Sequence, residues 1–96
     1  MKLFIAHCGY YDPRVGSALY EAHTSYLIAA EDAAAARART RELAEFRELR
    51  MHIDNLQEIE AVQGHEVKLV FKPALKGKTR VRGQKIGSRK AVLSEI

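Results

Sequence analysis

A single stretch of this chain, residues 31–46, has the composition of a helix, and segments suited to strands lie on both sides of it. Alanine and arginine dominate the stretch, and both are strong helix formers. Glu31 or Asp32 opens it, because a carboxylate there accepts bonds from the free N–H groups of the first turn. The expected buried stripe is Ala33, Ala36, Thr40, Leu43 and Ala44, ending at Phe46 or Arg47. Arg37, Arg39, Arg41, Glu42, Glu45 and Glu48 face water.

Two extended segments precede this helix. Residues 2–8, Lys-Leu-Phe-Ile-Ala-His-Cys, form a short apolar run ended by Gly9, the pattern of a buried strand. Asp12-Pro13 and two glycines mark residues 9–16 as a loop. Residues 20–30 contain Tyr, Thr and Ile, which suit a second strand buried at its Tyr26–Ala30 end.

Residues 51–62 resume extended structure. Ile53, Leu56 and Ile59 are spaced by three, and strand side chains alternate with a period of two. A bulge near residues 55–57 restores the register. Gln63-Gly64 is a turn, after which His65, Val67, Leu69 and Phe71 alternate with Glu66, Lys68 and Lys72. Pro73 ends that strand.

The order strand, strand, helix, strand, strand gives a small two-layer α+β domain. A four-stranded sheet carries one helix over residues 1–71, and a basic extension follows over residues 72–96. The chain has 96 residues, 47% of them hydrophobic, with three Phe, four Tyr and no Trp. The core is therefore thin, and a second subunit covering an apolar face would help it. A homodimer is expected.

The lone cysteine, Cys8, has no disulfide partner in the chain, and no segment reaches the roughly 18 apolar residues of a membrane span. The expectation is a cytoplasmic protein with no membrane partner.

Residues 20–70 resemble a bacterial family called domain of unknown function 1543. Tyr20-Glu21-Ala22-His23 is similar to that family's aliphatic-Glu-x-His-Asp strand. The step Leu27-Ile28-Ala29-Ala30-Glu31-Asp32-Ala33 is similar to its strand-to-helix junction. His52-Ile53-Asp54-Asn55-Leu56-Gln57-Glu58, then Val62-Gln63-Gly64-His65, resembles its His-Ile-Asp-Ala-Trp-x-Glu and Val-Asp-Gly-Tyr segments. Thr24, Leu56, Gln63 and His65 depart from the pattern. The resemblance implies fold and boundaries, and it brings no activity with it.

Candidate chemistry lies in His7, Glu21, His23, His52, Asp54 and Glu58. Positions i and i+2 of a strand share a face, so Glu21 pairs with His23 and His52 with Asp54. If the two strands are neighbours, two imidazoles and two carboxylates converge. They then suit a divalent metal or a histidine held by a carboxylate for acid–base work. The same side chains have a structural reading, since they bond local backbone readily and can fasten a bulge or a turn. Neither a catalytic group nor a metal or cofactor is assigned from the residues. Cys8 reads as a buried, inert thiol, with His7 pointing to the opposite face.

Residues 72–96 carry eight bases against one acid, a net of +7, while residues 1–71 carry eight bases against eleven acids. Lys76, Lys78, Arg80, Arg82, Lys85, Arg89 and Lys90 are the candidates for neutralising phosphates. No aromatic residue accompanies them to stack on bases.

Three functions follow in order. The first is a non-catalytic homo-oligomeric interaction domain. The second is nucleic-acid binding through the tail. The third is a small enzyme or metal protein using His23, His52 and Asp54.

Overall fold

The structure is a computed structural model that describes residues 1–11 and 20–84, together with the backbone of Val92–Glu95. Most of the loop expected over residues 9–16, and the side chains of Lys85, Arg89 and Lys90, lie outside the described residues. Strands β1 (Lys2–Tyr10), β2 (Ala22–Ala30) and β3 (His52–Glu58) form one sheet in the order β2-β1-β3. Both outer strands run antiparallel to β1, from Lys2↔Ala30 to Tyr10↔Ala22 and from Phe4↔Glu58 to Gly9↔His52. The outer strands therefore run in the same direction, with β1 between them and the helical segment crossing from one to the other.

The central position of β1 explains its apolar run. Phe4, Ala6 and Cys8 point to the helical layer and are buried there with Ile28, Ala30, Ala36, Phe46 and Met51. Ala6, Ala30 and Ala36 are fully enclosed, and these small residues let the helix approach the sheet closely. Thr40 is buried as well, and its hydroxyl donates to Ala36 O at 2.8 Å, so no polar atom is stranded.

The single expected helix is two, α1 (Ala33–Arg41) and α2 (Ala44–Glu48). Leu43 between them is extended, with φ −61° and ψ 133°. This break resets the helical phase. Ala33 and Ala44, placed on the expected stripe, are exposed, while Phe46 swings into the core. Arg47 Nε donates to Arg41 O at 3.2 Å and satisfies a carbonyl that the break frees. At the other end Asp32 Oδ1 accepts from Ala35 N at 2.8 Å, as its position predicted. Asp32→Ala should cost about 1 kcal/mol of stability in chemical denaturation, and an unchanged midpoint would count against this cap.

The spacing puzzle of β3 resolves through a bulge one residue earlier than expected. His7 pairs with Asn55 and Cys8 with Ile53, so Asp54 is the extra residue. Ile53 and Leu56 can then both pack on the core.

The fourth strand does not join the sheet. Strands β4 (Ala61–Val62) and β5 (His65–Glu66) make a separate two-residue hairpin. Gln63 (φ 49°) and Gly64 (φ 84°) form its turn, the double positive φ that two-residue hairpins favour. Beyond it, residues 67–72 pair with no strand among the described residues. After a short 3-10 turn at Pro73–Leu75, strand β6 (Arg80–Gly83) pairs with β7 (Val92–Glu95) in a second hairpin. Among the described residues, no helix is long and apolar enough to cross a membrane.

Candidate metal centre

The helical layer covers one face of the sheet. On the other face β1 presents His7 and Gly9, because Cys8 between them points into the core. Gly9 is the central position of a row. Its register partners are His23 on β2 and His52 on β3. Both imidazoles thus flank a residue that has no side chain, and the carboxylates of Glu21 and Asp54 fill the space above it.

A Cβ on Gly9 would lie 2.6 Å from His52 Nε2 and 2.7 Å from Asp54 Oδ2, and would also meet Glu21 Oε1. The cluster therefore requires glycine for room. Gly9 itself is buried beneath it.

The groups are closely spaced. His52 Nε2 lies 2.5 Å from Glu21 Oε1 and 2.9 Å from Asp54 Oδ1. His23 Nε2 lies 3.3 Å from Asp54 Oδ2 and 3.5 Å from Glu21 Oε2. The His7 ring stacks on His23 with centroids 5.1 Å apart and planes 8° from parallel, while His7 Nδ1 sits 3.2 Å from Ser25 Oγ.

Two triads emerge, each with ligand atoms within 4.8 Å of one another: Glu21–His52–Asp54 and His7–His23–Asp54. Asp54 belongs to both and turns one oxygen to His52 and the other to His23. The bulge supplies this residue, since it places an extra side chain beside His7.

Glu21 Oε1 has almost no solvent access, and it faces His52 Nε2 at 2.5 Å, an ion-pair contact when the imidazole is protonated. Glu21, His52 and Asp54 together offer three ligand atoms to a cation. Imidazole and carboxylate together match zinc and other first-row divalent ions. A three-residue set would leave coordination positions for water, whose proton a bound metal would loosen.

Glu58 does not belong to the cluster. It pairs with Phe4 at the far end of β3, and its carboxylate lies 3.8 Å from Lys2 Nζ. Of the phosphate-binding candidates, Lys76, Lys78, Arg80 and Arg82 are exposed. The backbone of Arg80–Gly83 is paired with that of Val92–Glu95 in a hairpin.

Cys8 is enclosed below the site. Burial, and then the negative charge of Asp54, push its thiol up from its ordinary value of 9.0. It stays protonated near neutral pH and is closed off from solvent. On the same inner face, burial and then the hydrogen bond from its hydroxyl to the Glu45 carboxylate push the Tyr26 phenol above its ordinary value of 10.0.

Both groups hold their protons more tightly in the folded chain than in the unfolded one. The stability they contribute is therefore complete below the unfolded values and is lost as pH rises past them. Denaturation midpoints should fall from about pH 9 upward, and Tyr26→Phe should flatten the part above about pH 10. A midpoint that rises over this range would contradict the assignment.

Gly9 carries a role that sequence reasoning gave to a strand terminator. Its signal was the position i+2 from His7 on a central strand. Compared with protein-family models, curated proteins and solved structures, the chain matches none of them.

Proposed function

We infer that this chain is a metal-binding domain, in which Glu21, His52 and Asp54 hold one divalent transition-metal ion on the helix-free face of the sheet. His23 stands on the second oxygen of Asp54 and orients it. One observation carries the reading: the ligand atoms of Glu21, His52 and Asp54 converge within 4.8 Å of one another over Gly9, with Glu21 Oε1 withdrawn from solvent. Two carboxylates brought this close repel each other, and a cation between them would offset that.

The test is equilibrium dialysis of metal-stripped, untagged protein against zinc. The expected result is one ion per chain, lost in both His52→Ala and Asp54→Asn. No retained zinc, or equal retention by both variants, would overturn the reading.

The proposal extends to setting and assembly. Membership in the domain of unknown function 1543 family is consistent with the site, because the Glu21-x-His23 and His52-x-Asp54 pairs occupy the two segments that carry the resemblance. The free Cys8 thiol favours a reducing, cytoplasmic setting. A homodimer is favoured by the thin core and by apolar residues left at the surface after β5. Phosphate contact by the tail stands as a second reading, favoured by the exposure of Arg80 and Arg82 on one side of β6.

A further inference from the structure

Residues 67–71 carry the apolar pattern of a strand and lie at the surface. Val70 is 77% exposed, Phe71 71% and Leu69 38%. The Val67 N–H donates to Glu60 O at 2.9 Å. After it, among the described residues, no backbone hydrogen bond joins residues 68–71 to any strand.

The sheet has a matching vacancy. Among the described residues β3 pairs with β1 on one side only, so its other edge leaves N–H and C=O groups without a strand partner. The described residues thus contain a strand-like segment and a sheet edge that pair with no other strand.

We propose that residues 67–71 of one copy pair along the β3 edge of a second copy, and that the second copy reciprocates. The inference rests on the homodimer reading and names the surface that makes it. Each lobe then contains four strands, the number the sequence pattern calls for, with the fourth supplied by the other chain. Exchange of an identical element across a two-fold axis is a direct route to such a dimer, and edge addition satisfies the backbone groups of both partners.

Charge agrees with this pairing. The segment brings Lys68 to a strand that carries Asp54 and Glu58, the latter also 3.8 Å from Lys2 Nζ.

The experiment uses two full-length variants, Gln57→Cys on β3 and Lys68→Cys on the segment, with the unreactive Cys8 left in place. They are unfolded together, refolded and treated with a short bis-maleimide. The expected product is a covalent dimer joining one of each variant. In the double variant Gln57→Cys/Lys68→Cys, links should run between chains.

Sedimentation equilibrium of the unmodified chain at tens of micromolar should give a dimer. Leu69→Glu with Phe71→Glu should give a folded monomer that still binds zinc. That last readout separates this proposal from the metal site. A monomeric unmodified chain, links within one chain only, or a dimer that survives both glutamates would overturn the exchange.

Discussion

Zinc at about a hundred times its dissociation constant should raise the melting temperature by about 10–20 °C, and Gly9→Ala should abolish the rise. Binding to the folded chain alone at that concentration contributes about 2.7 kcal/mol. In a domain of this size each kcal/mol shifts the melting temperature by about 4–8 °C. Gly9→Ala is the informative variant because the backbone of a β-strand accepts alanine readily. The atoms its methyl group meets are the far ends of the Glu21, His52 and Asp54 side chains. Those ends can rotate away, so the fold persists while the ligand atoms no longer converge. The variant should melt near the metal-free temperature of the unmodified chain with or without zinc. An equal zinc-dependent rise in the variant would contradict the role given to Gly9.

Phe46→Ala should cost about 3–5 kcal/mol, a large share of the about 5–15 kcal/mol that holds a small domain folded. The size of the effect follows from how few bulky groups the core has. Of the three phenylalanines only Phe4 and Phe46 are buried, and Phe71 lies at the surface. The core that Phe46 shares with Phe4, Ile28 and Met51 is otherwise built of Ala6, Cys8, Ala30 and Ala36, which are too small to close over a vacancy. Urea denaturation checks the prediction, through a lower midpoint with an unchanged slope. A loss under about 1 kcal/mol would mean that the α2 turn does not seat this ring.

Much of the local structure was legible because it depends on neighbours in the chain. The Asp32 cap, the Gln63-Gly64 turn and the need for a bulge in β3 each rest on a few adjacent residues. The break at Leu43 was not legible. Residues 42–44 read as good helix, and only packing of Phe46 against the sheet rewards leaving it. The alternation of residues 65–72 reads as a strand, yet only His65–Glu66 form one, because alternation names no partner and the three-stranded sheet gives that segment none.

The site divides along the same line. Glu21 with His23, and His52 with Asp54, follow from i, i+2 spacing. Their meeting depends on strand order, which places β2 and β3 on opposite sides of β1 and both histidines against Gly9. Glu58 failed to join for a plain reason. It lies four residues beyond Asp54, about 13 Å along a strand, on the far side of the bulge where the register has shifted.

The central claim is that these side chains bind a metal through nitrogen and oxygen alone. X-ray absorption at the zinc edge of the zinc-loaded, full-length chain tests it directly. The account predicts nitrogen and oxygen neighbours at about 2.0–2.2 Å with the outer-shell scattering of imidazole, lost in His52→Ala. A sulfur neighbour at about 2.3 Å, or a spectrum without imidazole scattering, would contradict it.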